Sequence, residues 1–172
     1  MPRRSMSHAL SVAHTLARAV AKASKTVSPR SRKGRPGHGR EGQGGKNHRV
    51  SGYAGDYVGV PAMTYAPVAD SLPDPGEVVW TWVPYEEDHR RGKDRPVLVI
   101  GRHQGLLLAL QLTSQDHDRD AEEEARHGRY WIDIGTGEWD RERRPSEARV
   151  DRILQLDPSE VRRIGAVLSE SI

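Results

Sequence analysis

The chain has no cysteine and no phenylalanine, is only 5% aromatic, and contains no apolar run long enough to cross a bilayer. Without cysteine there is no disulfide, no thiolate metal ligand and no cysteine nucleophile, so thiol redox chemistry is excluded; the absence suits a reducing cytoplasm. A hydrophobic content of 35% limits how much core 172 residues can build, so one modest domain is expected rather than two. The start, MPRRSMSHALSVAHTLARAVAKASK, has the outline of a targeting segment, but Arg18 and Lys22 interrupt its apolar stretch. A soluble, cytoplasmic protein that does not cross a membrane is expected.

Charge is plentiful and unevenly placed. Residues 1–70 hold twelve Lys and Arg against three Asp and Glu, a balance of +9, whereas residues 71–172 hold fifteen against twenty-one, a balance of −6. A basic arm joined to an acidic domain suits a polyanion such as nucleic acid or an acidic membrane surface, although such arms also occur simply solvated. Residues 6–24 have Leu10, His14, Ala17 and Ala21 at helical spacing and can form a short helix, marginal on its own. Residues 25–59 are rich in Gly, Arg, Ser and Lys and read as a disordered linker. Gly37, Gly39 and Gly42 satisfy G-x-G-x-x-G, but no strand precedes and no helix follows them, so no dinucleotide site is expected. Residues 60–75, with four prolines, read as extended chain laid along a surface. The division expected is therefore a basic, largely disordered arm with a Pro-rich linker at 1–75 and a folded domain at 76–172.

Within that domain the pattern is that of strands. Glu77–Val83 alternates with apolar residues on both faces, and PVLVIGR (96–102) and LLLALQLT (106–113) flank His103-Gln104-Gly105, a spacing that suits a tight hairpin. Residues 114–128 form a polar excursion with a helical turn or two, and Tyr130–Ile134 and Ala148–Leu154 supply two further strands on either side of a Gly-, Pro- and Arg-rich loop. Asp157, Pro158 and Glu160 have the form of a helix start, with Val161, Ile164, Val167 and Leu168 as an apolar stripe behind it. Five strands and a closing helix without βαβ alternation predict a small twisted sheet or partly open barrel.

Three pieces of this domain together resemble the PemK/MazF toxin family. They are Gly76-Glu77-Val78-Val79-Trp80 followed by Gly92-Lys93-Asp94-Arg95-Pro96 and an apolar strand, then Leu112-Thr113-Ser114 at a strand end, then Val150-Asp151-Arg152-Ile153. The resemblance covers most of 76–172 and none of the arm. It implies a mainly β, SH3-like barrel with a C-terminal helix, a homodimer, a cognate antitoxin protein as partner, and cleavage of single-stranded RNA without metal or other cofactor.

Such cleavage uses the ribose 2′-hydroxyl as nucleophile, so the protein must assist its deprotonation, stabilise charge on the phosphoryl oxygens and help the 5′-oxygen leave. Arg95 matches the family's catalytic arginine, and its fork of donors suits a phosphate; Thr113 matches the catalytic threonine, with Ser114 as a second donor. The alternative for Thr113 is a hydroxyl that merely finishes a strand. His89 is the candidate for proton transfer, with Glu86, Glu87, Asp88 and Asp94 as alternatives; a solvated loop histidine is the competing explanation. Arg90, Arg91, Lys93, Asp151 and Arg152 are candidate substrate-binding residues, Arg152 standing where the family often has Gln. Trp80 and Trp82 can stack bases but more often belong to a core, and Trp131 and Trp139 are freer candidates. His103, His117 and His127, with Asp116, Asp118 and Asp120, match no metal-ligand spacing, and no metal is expected. A non-catalytic SH3-like nucleic-acid- or protein-binding module remains the alternative function.

Overall fold

Alternating valine and tryptophan make β1 (Glu77–Pro84) a strand covered on both sides: Val78, Val79 and Val83 are buried and Trp80 and Trp82 are half-buried. It pairs with β2 (Gly92–His103), which turns back into β3 (Leu106–Thr113). The turn works as the sequence suggests, because Gln104 (φ 49°) and Gly105 (φ 82°) both take the positive φ of a type I′ hairpin. β2 begins four residues before the expected Pro96, so Arg95 lies in the strand, opposite Thr81, rather than at the end of a loop. The computed structural model describes residues 18–22, 52–115 and 121–168.

The remaining strands are β4 (Trp131–Gly135), β5 (Ser146–Arg149), β6 (Leu154–Leu156) and β7 (Arg162–Val167). All are antiparallel, in the order β4-β5-β3-β2-β1-β7, with β6 also on β3. The single strand expected over 148–154 is two, since Asp151 and Arg152 turn aside between β5 and β6. The polar excursion carries one short helix, Ala121–Arg126, as expected; Asp116, His117, Asp118 and Asp120 lie outside the described residues.

Two sequence expectations are not met among the described residues. The sheet does not close there, because β4 pairs only with β5 and β7 only with β1, which leaves a twisted open sheet in place of a closed barrel. Nor do the described residues contain the expected C-terminal helix. Asp157 does cap a turn, its carboxylate accepting the Ser159 N–H at 2.8 Å, but that turn is a single 3-10 stretch, Pro158–Glu160. Val161 then goes extended (φ −93°, ψ 147°) and β7 pairs with β1, where Arg163 meets Glu77 in an ion pair. Burial alternates from Ala166 to Leu168, with Ala166 and Leu168 inside and Val167 outside, and Ile164, on the other side of a register shift in the β1–β7 pairing, is exposed. A free edge on β1 and β-branched residues outweigh a good capping signal.

The sheet buries both faces. Val78, Leu98, Ile100, Leu108, Leu110 and Leu112 form one core with Ile134 and Trp139; Val79, Val97, Val99, Leu107, Ala109 and Leu154 form the other. Each fully buried leucine contributes about 1.5–3 kcal/mol relative to exposure. Residues 52–75 lie against these strands: the Tyr57 and Thr64 N–H groups donate to the Ile153 and Ile100 carbonyls at 2.8 and 3.0 Å, and the Gly76 N–H that follows donates to the Val99 carbonyl at 2.8 Å. Gly52–Gly59, part of the stretch that composition suggests is disordered, is thus hydrogen-bonded chain, and Asp56 bridges to Leu154. Residues 18–22 are helical, with Val20 buried in the first core; the rest of the expected helix and residues 25–51 lie outside the described residues. Among the described residues no helix is long and apolar enough to cross a membrane.

Candidate functional site

β3 changes partner near its end. Val97↔Gln111 is the last pair that it makes with β2, whereas Leu112 and Thr113 pair with Ala148 and Glu147 of β5. β2 meanwhile stays on β1 through Pro96, Arg95 and Asp94. The two ladders part here, and a groove of about 940 Å³ occupies the wedge. Its lining comes from β1 (Trp80), β2 (Lys93 to Pro96), the end of β3 and the two residues after it (Leu112 to Gln115), the β4–β5 loop, β5 (Ser146) and β7 (Arg162, Ile164).

Most of the groove's charges cancel locally. Arg162 Nη2 lies 2.5 Å from Asp94 Oδ2, and Arg144 lies 2.8 Å from Asp140 and 3.5 Å from Glu142. The Arg144 hydrogen bond holds the Asp140 carboxyl below the usual carboxylate range, with burial opposing it. Lys93, Arg95 and Arg141 make no ion pair among the described residues, so three cations face the wedge uncompensated. Thr113 Oγ1 accepts the Gln115 N–H at 3.2 Å, which leaves its own proton to donate outward; Ser114 beside it is exposed. Guanidinium, ammonium and hydroxyl donors without acceptors of their own make a receptor for the oxygens of a phosphate.

Of the residues singled out from sequence, Trp80, Lys93, Asp94, Arg95, Thr113, Ser114 and Trp139 line this groove. The others do not. His89 stacks edge-on against Tyr53, ring centroids 5.0 Å apart, and among the described residues no histidine lines the groove. Arg90 pairs with Asp88 at 3.0 Å on the surface, and Arg91 lies over the Tyr85 ring at 5.7 Å. Asp151 accepts the Tyr130 N–H at 2.8 Å and pairs with buried Arg149 at 2.7 Å. Burial pulls the Arg149 guanidinium down, but Asp151 and Glu86 together hold it above its ordinary value. Arg152, 5% exposed, donates to the Pro84 carbonyl at 2.8 Å and to Asp56 at 2.9 Å. Asp56 also accepts the Tyr53 hydroxyl at 2.5 Å, and burial, then that bond, pushes the phenol's pKa up.

Trp139, a freer candidate by sequence, is 3% exposed, its Nε1–H donating to Ser146 Oγ at 3.0 Å. Trp131 is half-buried, with its indole N–H directed to Glu124 at 3.3 Å. Sequence reasoning missed Arg141, Arg144 and Arg162. The Asp140-Arg141-Glu142-Arg143-Arg144 run was the only local signal, and alternating charges in a loop look the same whether they line a site or face bulk water.

A family model described as PemK-like, MazF-like toxin of type II toxin-antitoxin system matches residues 74–172. No curated protein and no solved structure matches the chain.

Proposed function

The chain belongs to the PemK-like, MazF-like toxins of type II toxin-antitoxin systems, and from that premise we propose that it is a metal-independent endoribonuclease that cleaves single-stranded RNA. The observation that carries the proposal is the meeting of Arg95, Thr113, Ser114 and Lys93 in one open groove with no carboxylate paired to either cation among the described residues. In this mechanism the 2′-hydroxyl oxygen attacks the adjacent phosphorus, the bond to the 5′-oxygen breaks, and the products are a 2′,3′-cyclic phosphate and a 5′-hydroxyl. Arg95 neutralises the non-bridging oxygens as their charge grows, and the Thr113 hydroxyl donates to the same oxygens, with Ser114 a second donor. A guanidinium is a fork of donors with no acceptor, so the role given to Arg95 is charge stabilisation and not proton removal.

Proton transfer falls to the groove's carboxylates rather than to His89, which stands against Tyr53 instead. Asp140 is a poor base, because Arg144 already holds its ionised form. A cognate antitoxin would restrain the activity by covering the groove, and the toxin would act in the cytoplasm as a homodimer. Residues 1–75 would serve as a basic arm that adds phosphate contacts. One observation favours a binding module without catalysis: among the described residues, four carboxylates (Asp94, Glu138, Asp140, Glu142) and no histidine line the groove.

Long single-stranded RNA incubated in EDTA with the protein, Arg95→Ala and Thr113→Ala separates the two. Discrete cuts ending in cyclic phosphate, lost in both variants, are expected. RNA left intact by folded wild-type protein free of antitoxin would favour the module.

A further inference from the structure

The β4–β5 loop carries a cation that the proposed chemistry has not used. Of its arginines, Arg144 is engaged with Asp140 at 2.8 Å and Arg143 with Glu138 at 3.7 Å. Arg141, between them, is exposed, lines the groove and has no ion pair among the described residues. The turn that carries it is pinned from three sides. Trp139 is buried and bonded to Ser146, and Gly137 lies so close to the indole that a Cβ there would come within 2.0 Å of it. Asp140 accepts the Glu142 N–H at 3.0 Å while its carbonyl accepts the Arg143 N–H at 2.9 Å. An arginine needed only for solubility requires no such anchoring, whereas one that must meet a fixed ligand gains from it.

On the ribonuclease reading, on which this rests, we infer that Arg141 forms a second phosphate subsite for the RNA phosphodiester next to the scissile one, with Asp140 as the residue that positions it. A groove of about 940 Å³ is at the upper end of ligand-site volumes and has room for more than one nucleotide. Lys93 and Arg95 reach the wedge from β2 and Arg141 from the β4–β5 loop, so the cations span the groove instead of clustering on one strand.

The test is binding of a short 2′-O-methyl RNA oligonucleotide, whose blocked 2′-oxygen prevents cleavage, to the full-length chain across a salt titration. Arg141→Gln should weaken binding roughly three- to tenfold at low salt and reduce the salt slope by about 0.7, one phosphate contact on a single strand; Arg141→Lys should restore most of that slope. Asp140→Asn gives an opposite-sign control. Removing an acid raises affinity if net charge alone matters, but lowers it if Asp140 positions Arg141. Tighter binding by Asp140→Asn, or an Arg141→Gln slope equal to that of Arg126→Gln on the distant surface, would overturn the subsite. If Arg95→Gln weakens binding in that case, the ribonuclease reading stands without the subsite; if wild-type protein does not bind at all, both fall.

Discussion

Arg152 and Arg95 are the same side chain in opposite circumstances. Arg152 is buried, its donors taken by Asp56 and the Pro84 carbonyl, and it joins the extended segment 52–75 to the turn between β5 and β6. Arg95 sits half-buried at a wedge between two ladders with no ion pair among the described residues. A buried arginine whose donors are all satisfied can do little but hold structure, because any substrate would have to displace bonds already made. An arginine left with donors and no acceptor has been kept solvated or waiting. Position in the ladder, not residue type, separates the fully bonded arginines of this fold from those left open.

The comparison breaks first at Arg152. Arg152→Ala leaves Asp56 facing only Tyr53, and should lower unfolding free energy by about 3–5 kcal/mol, read by denaturant titration; Arg95→Ala should shift it by no more than about 0.5 kcal/mol. Equal losses in the two variants would erase the distinction. The reverse ordering is expected in turnover: Arg95→Ala should lower the single-turnover rate about 10²- to 10³-fold. Thr113→Val, which keeps the shape of the strand end and removes one donor to a charged oxygen, should cost less, about 10- to 100-fold. A Thr113→Val enzyme of unchanged rate would assign the hydroxyl to the Gln115 turn alone.

The smallest effect expected is a dependence on pH. Arg144 depresses the folded pKa of Asp140, so its stabilisation is fully present above the unfolded carboxyl value of about 3.9 and is lost as pH falls through the folded one. The stability difference between wild type and Asp140→Asn should therefore be flat from about pH 8 to pH 5 and shrink only in stronger acid. A difference that changed through neutrality would point to another group.

How much of this was readable in advance varied with distance along the chain. The β2–β3 hairpin was legible because its signal, His103-Gln104-Gly105 between two apolar runs, is local. Arg95, Thr113 and Ser114 were found through a family resemblance, and the structure sets them in one groove. Asp151 and Arg152 resembled a substrate-binding pair, but Arg152 meets Asp56, 96 positions away, and that distance was invisible to a local pattern. The C-terminal helix was expected because Asp157, Pro158 and Glu160 form a sound helix start; the turn they promise exists, and what followed was decided by the unpaired edge of β1. Arg141 stood in a charged run that reads the same in a site or in bulk water, since exposure and pairing belong to tertiary structure.

The switch of β3 from β2 to β5 has a further consequence for how such a protein can diversify. A cleft dug by a loop disappears when the loop is shortened, but this opening is left by two sheets diverging from one strand, Leu110 still in the first ladder and Leu112 already in the second. Apart from Trp139, which belongs to the core, and Gly137, which packs against it, residues 136–145 can therefore change length or sign while the hydrogen-bonded frame beneath keeps its register. A library randomised over that loop with Gly137 and Trp139 kept should yield mostly folded proteins with altered groove surfaces.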